Sequence, residues 1–445
     1  MESAIQKEVR RLVLNRFFIC AVLGFAYFIS YFHRVSPTVI VDRLMSTFHI
    51  EGAVIIGNLT AIYFYIYALM QIPGGMLADR WGPRKLVSAG MFLAGTGALL
   101  FAFTPTVLGL YIGRLLIAFG VSVIYVSILK FQSTWFRPDQ VGTFAGVLLF
   151  VGNLGAIVAA TPLAAMVSLF DWRISFGLIG LVTFLIAIFS AFIIIDSPGN
   201  CNLRYPQEVF LRLTGANVTS KNNLHFNVSG FKKDLGRIFK NKYTWFAILG
   251  SFGTYGTLMA LSGAWGVPYF MQVYGLTREE AANYVLLMVL GLMIGSPLVG
   301  YISDYMGTRK LPYLIFSCLY FVTWLILVFW VGKPPESCLY PVCFCLGFFG
   351  SSSMLSMVYV KEMNPADIAG LAVGCGNIGG FLGTGVMQPL VGYILDRHWA
   401  GEVISGVKIY SQAAYFKAFL VCFAVAAMAF LVVSFLREER QKIKH

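Results

Sequence analysis

Charge is what this sequence has least of. Only 12% of its 445 residues are Asp, Glu, Lys or Arg, against about 25% in soluble domains. Hydrophobic residues make up 58% and aromatic residues 16%. A chain of this composition is not an ordinary water-soluble globular protein. Acids are scarcer than bases, 20 Asp and Glu against 33 Lys and Arg, for a formal charge of +13. Nucleic acid is not the implied partner, because the basic residues fall between apolar blocks rather than on one face or arm. The eight cysteines lie almost all inside apolar blocks without paired spacing. Cys343 and Cys345 are two apart and would point to different faces of a helix, so no metal clip is indicated. They read as small buried hydrophobes. No nucleotide-binding motif and no soluble energy-coupling domain is present, and nothing implies a cofactor or metal. A membrane enzyme would want clustered His, Asp or Glu at helix ends, and a channel would want rings of charge; neither is seen. "GCGNIG" at 374–379 matches G-x-G-x-x-G literally. It lies within an apolar helix, without the preceding strand and later acid that a dinucleotide site needs.

Long apolar runs are what the sequence does have. A helix needs roughly 20 apolar residues to cross a bilayer. Twelve such stretches can be drawn: 16–41, 54–77, 86–105, 107–130, 141–168, 174–195, 243–272, 281–303, 311–332, 338–360, 367–395 and 412–436. The expected fold is an all-α integral membrane protein of twelve transmembrane helices. A six-helix bundle over 1–195 is followed by a polar linker over 196–242 and a second six-helix bundle over 243–445. The N-terminal segment resembles a signal n-region, but its apolar run is too long and lacks a cleavage site, so it reads as an uncleaved first span. In the linker, "FKKDLGRIFKNK" has the pattern of a basic amphipathic segment on a membrane surface. Lysine and arginine are concentrated in alternate loops, in the linker and at both ends of the chain, which predicts cytoplasmic termini and linker. Asn217-Val-Thr and Asn227-Val-Ser then fall on the cytoplasmic side and do not read as glycosylation sites. The expected location is the cell inner membrane, with the chain as a monomer in the bilayer.

An internal repeat ties the two halves together. After span 2 the chain reads "GGMLADRWGPRK", and after span 8 "GYISDYMGTRK". Gly75, Asp79, Gly82, Arg84 and Lys85 align with Gly300, Asp304, Gly307, Arg309 and Lys310, 225 residues apart. A tight turn between antiparallel helices accounts for the glycines, and topology for the cations. Neither accounts for the aspartates.

With its two G-x-x-x-D-x-x-G-x-[RK]-[RK] loops, the whole chain resembles the major facilitator superfamily. The resemblance implies two pseudo-symmetric six-helix bundles around a central site, with alternating access by rocking of the halves. It also implies a conformational latch at Asp79 and Arg84, and at Asp304 and Arg309. "YFHRVSPTVI", "QIPGGMLADRWGPRK" and "RLLIAF…KFQSTWF" resemble the organic anion:cation symporters, whose basic positions in spans 1 and 4 match Arg34 and Lys130. The chain departs from them at His33, where the family has an acid, and at Val121, where span 4 often carries a carboxylate. "KEMNPADIAGLAVGCGNIGGFLGTGVMQPLVGYILD" resembles the phagosomal nutrient and lysosomal dipeptide carriers. Span 5, "GVLLFVGNLGAIVAATPLAA", lacks the G-P-x-x-G-G of the drug antiporters, which favours import by symport over drug export.

The implied function is secondary active transport of a small polar, carboxylate-bearing solute (an amino acid, short peptide or organic acid) coupled to protons. Exchange of organic anions or phosphate esters is the alternative. Arg34 is followed by Pro37, which loosens the helix there. Its guanidinium offers a bidentate fork to a carboxylate, although an arginine could also snorkel outward. His33 projects about 100° around the helix from Arg34 and can titrate near neutrality; helix packing would equally account for it. Arg114 matches R-x-x-x-G-x-G, with Ala118 replacing the first glycine, a motif whose family role is support of proton coupling. Lys130, Tyr31, Trp265, Asn377 and Gln388 complete the expected binding set. Tyr63, Tyr67 and Tyr255 are further cavity candidates, and Asn58 and Asn153 are mid-span polar residues that helix–helix hydrogen bonding would explain.

Overall fold

The computed structural model describes residues 2–50, 52–136, 138–197, 228–330, 333–365, 368–404 and 407–437. Asn217 and Asn227 lie outside the described residues, as does the linker from 198 to 227.

The chain is built from long apolar helices: α1 (Glu2–Val35), α2 (Val41–Thr47), α3 (Ala53–Phe103), α4 (Val107–Ser122), α5 (Ile124–Trp135), α6 (Pro138–Val158), α7 (Thr161–Leu169) and α8 (Trp172–Ile193). After the linker come α9 (Val228–Lys240), α10 (Lys242–Ala260), α11 (Gly266–Tyr274), α12 (Arg278–Tyr305), α13 (Lys310–Phe329) and α14 (Glu336–Gly350). The last are α15 (Met354–Glu362), α16 (Ala369–Arg397) and α17 (Gln412–Ser434). Eleven stretches among the described residues are long and apolar enough to cross a membrane. The remaining expected span, the seventh, is helical from Lys242 to Tyr274 but interrupted by a π-turn over Leu261–Trp265. A two-residue hairpin, Val403–Ile404 against Val407–Lys408, joins the last two spans and is the one non-helical pairing among the described residues.

Local chemistry sets the helix ends. Thr106, Asp171, Asn241 and Ser411 each accept a backbone amide at a helix start, and Thr277 forms a capping box with Glu280. Both repeated loops turn at a left-handed glycine, Gly82 at φ +77° and Gly307 at φ +63°, where a side chain would be strained. Helices close up where side chains vanish. A Cβ on Gly379 would meet the Ile248 carbonyl at 2.3 Å, and one on Gly383 the Phe252 carbonyl at 2.3 Å. Gly379, the last glycine of the spurious nucleotide motif, and Gly383 therefore let α16 press against α10, as small residues four apart allow.

At the end bearing the repeated loops, Arg84 and Arg309 are each held within their own half. The Arg84 amide donates to Asp196 at 2.8 Å and its Nε to the Ala191 carbonyl at 2.7 Å, beyond and within the end of α8. Arg309 donates to Glu362 at 2.9–3.1 Å, to Ser303 at 3.0 Å and to Asp304. The side chain of Asp79 lies outside the described ones.

At the opposite end the halves are joined to each other. Arg278 of α12 reaches Asp42 and the Val39 carbonyl. Asp396 accepts the Val54 amide at 2.9 Å, capping α3 from across the interface, and is held by Tyr410 at 2.8 Å and Lys408 at 3.5 Å. Ser168 donates to Glu279 at 3.4 Å. This end is closed.

Candidate functional site

Arg34 lies in the last turn of α1, between the halves, and is 5% exposed. A guanidinium buried at membrane depth is costly unless something compensates it. The compensation here is aromatic rather than acidic. The group lies over Tyr31 at 4.2 Å, Tyr67 at 5.3 Å and Phe381 at 5.4 Å, positions from which ring faces attract a cation. Nη1 donates to the Tyr255 hydroxyl of α10 at 3.2 Å, while Nε has no hydrogen-bond partner. Among the described residues no carboxylate forms an ion pair with Arg34. The cation thus bridges both halves while its own charge is unanswered.

Beside it lies a cavity of about 70 Å³. Arg34, Tyr27, Tyr31, Tyr67 and Tyr125 line it from one half; Ser251, Tyr255, Ser353, Asn377 and Phe381 line it from the other. Such a lining offers donors, acceptors and ring faces but a single formal charge. That volume is far below the several hundred Å³ of a typical small-molecule site.

Of the expected binding residues, the structure brings Arg34, Tyr31 and Asn377 together. Gln388 and Trp265 are elsewhere: Trp265 Nε1, in the π-turn, donates to the Gln388 carbonyl at 2.9 Å, and Gln388 Nε2 to the Met259 carbonyl near the end of α10 at 3.0 Å. They hold the interrupted helix against α16. Lys130, on α5, is not among the lining residues. His33 turns away from the cavity toward α8, its Nε2 3.1 Å from the Thr183 hydroxyl. Arg114 is also buried, reaching the carbonyls of His33 and Arg34. Asn58 is exposed and Asn153 buried, neither at the cavity. Sequence reasoning passed over Tyr27, Tyr125, Ser251, Ser353 and Phe381. The signal was available for Tyr27, which is one turn before Tyr31 and two before Arg34 on one helix face.

Two helical bundles meeting at a buried polar cavity in a membrane define a transporter of small molecules. The profile of the Major Facilitator Superfamily matches residues 23–385 and again 247–445. The chain belongs to that superfamily, and is a transporter rather than an enzyme. It is 26% identical over 301 residues to the uncharacterized transporter YybO of Bacillus subtilis, covering 66% of this chain and 68% of that protein. It is 23% identical over 408 residues to the probable sulfoacetate transporter SauU of Cupriavidus necator, covering 87% and 89%. Among solved structures, a bacterial homolog of the human lysosomal transporter Spinster, inward-facing and occupied, superposes with a TM-score of 0.74 at 15% identity, covering 95% of this chain and 96% of that one.

Proposed function

We propose that the protein is a secondary active transporter of small organic anions, with Arg34 as the group that receives the carboxylate or an equivalent planar anionic head. The observation that carries this reading is the unpaired guanidinium between the halves. A site that leaves a buried cation without a counter-ion is completed by an anion, and the fork takes two oxygens at once. Tyr255 already bonds Arg34 from the second half, so an arriving anion competes for a contact between the bundles and is placed to bias their equilibrium. The name of the relative SauU, a probable sulfoacetate transporter, agrees with an anionic solute.

Coupling follows from the same electrostatics. His33, Arg34 and Arg114 crowd three basic side chains into one buried region, and an anion on Arg34 lowers the cost of protonating His33. Anion and proton then favour each other's binding reciprocally, as symport requires. The lysine and arginine bias supports cytoplasmic termini, with the closed end outward and the loops that carry the latch residues Asp79, Arg84, Asp304 and Arg309 on the inward side. The unit is a monomer in the cell inner membrane. The exchange reading draws support from the cavity lining, which includes no acid.

Thermal-shift and counterflow measurements on purified protein decide the solute. The panel is sulfoacetate, D-glucarate, L-galactonate, glycerol 3-phosphate, an amino acid and a dipeptide. Binding confined to uncharged or cationic solutes would sink the anion reading. Uptake into proteoliposomes driven by an inward proton gradient distinguishes symport; uptake only into vesicles preloaded with an anion would establish exchange.

A further inference from the structure

The first helix ends where its backbone hydrogen bonds run out. In a continuing α-helix the amide of residue 37 would pair with the carbonyl of residue 33. Residue 37 is proline, which has no N–H to give. The chain tightens into a 3-10 turn over Ser36–Ile40, which takes in Thr38, the α-helical partner of the Arg34 carbonyl. A buried carbonyl left without a donor is destabilising.

Arg114 supplies both donors. Its Nη1 donates to the His33 carbonyl at 2.5 Å and its Nη2 to the Arg34 carbonyl at 3.4 Å. Arg114 is only 1% exposed, and its guanidinium lies over the Tyr63 ring at 4.7 Å. Among the described residues no carboxylate pairs with it. Tyr63 in turn donates to the Ser30 carbonyl at 3.1 Å, one turn earlier on α1. Two residues from α3 and α4 therefore grip the backbone on which Arg34 stands. The contacts of Arg114 are backbone carbonyls and a ring, and it is not among the residues lining the cavity.

We propose that Arg114 is a positioning residue. It stands in for the amide that Pro37 lacks and so holds the end of α1, and with it the Arg34 guanidinium, in register with the cavity. Its consequence for binding rests on the reading of Arg34 as the anion receptor; its consequence for the helix end does not.

A cycle between positions 114 and 37 tests this. Hydrogen–deuterium exchange on the full-length, solute-free protein reads the helix end directly. Arg114→Gln should speed exchange of the amides of residues 33–40 by roughly tenfold or more. Adding Pro37→Ala, which returns an N–H at that place, should restore most of the protection. Binding of sulfoacetate should follow, weakened roughly ten- to a hundredfold by Arg114→Gln alone and much less in the Pro37→Ala background. Equal penalties in both backgrounds would mean that Arg114 acts through packing or charge, and would overturn the proposal. So would unchanged exchange in Arg114→Gln. If that variant does not fold, Arg114→Lys, which keeps the charge but loses the two-pronged reach, carries the same cycle. If sulfoacetate does not bind, or Arg34→Ala does not alter its binding, the reading of the solute or of Arg34 fails separately, and the exchange measurement still decides what Arg114 does.

Discussion

Replacing Arg34 should move binding and stability in opposite directions. In the solute-free protein the guanidinium is buried, unpaired and compensated only by three rings and one tyrosine hydroxyl. Each ring contact contributes on the order of 0.5–2 kcal/mol, and a neutral hydrogen-bond partner about 1–3 kcal/mol. Several kcal/mol of ion desolvation stand against these, so the apo protein gains little from the charge. With an anion bound, removal of one partner of a buried pair costs about 2–5 kcal/mol, a loss of affinity of about thirty- to several-thousandfold at 1.4 kcal/mol per decade. Arg34→Met keeps the volume and removes the charge. It should abolish measurable binding of the solute found in the panel while leaving the thermal midpoint of the apo protein equal to wild type or higher. Arg34→Lys should recover only part of the affinity, because a point charge cannot engage two oxygens together. Calorimetric binding to the detergent-purified variants, with thermal unfolding of the same samples, reads both effects. Unchanged affinity in Arg34→Met would refute the argument. A fall in stability matching the fall in affinity would show instead that Arg34 holds the fold.

Three further outcomes follow from the geometry. His33→Gln keeps a hydrogen bond to Thr183 but cannot titrate; uptake, which should rise in the wild type as external pH falls, should become flat with pH while exchange of solute persists, and an unaltered profile would remove His33 from coupling. Arg278→Gln breaks the join to Asp42 and the Val39 carbonyl, so a cysteine placed at Thr38, buried at 1% exposure, should pass from protected to labelled by an impermeant thiol reagent; continued protection would mean that the remaining contacts, of Asp396 with Val54 and of Ser168 with Glu279, keep this end shut. Gly383→Val drives a side chain into the Phe252 carbonyl, which a Cβ alone would already meet at 2.3 Å, and should destabilise by about 1–3 kcal/mol or more, read as a lower unfolding midpoint; an unchanged midpoint would show that the two helices separate freely.

Much of this protein was legible in the chain because a bilayer imposes a one-dimensional rule. Every backbone group in hydrocarbon must be satisfied within its own helix, so length and polarity along the sequence suffice to draw the spans. The repeat of Asp79 and Asp304 then suffices to pair the halves. The same rule explains why Gly82 and Gly307 could be read as turns, since the chain must reverse within a few residues there. Helix ends followed less closely: the predicted span at 243–272 is interrupted by a π-turn, and just before it Gln388 donates to the Met259 carbonyl, a contact between residues 129 apart. Which polar residues face one another was beyond the sequence altogether. Arg34 and His33 are neighbours in the chain, yet a step of about 100° around the helix sends one toward Tyr255 and Phe381 and the other toward Thr183. Trp265 and Gln388 looked like solute contacts by type and depth and are instead bonded to each other's helices. Tyr125 and Ser251 gave no signal of their own and reached the cavity only because two bundles meet there. Hydropathy places a residue at a depth in the membrane; the azimuth of its helix and the packing of the second bundle decide what it touches.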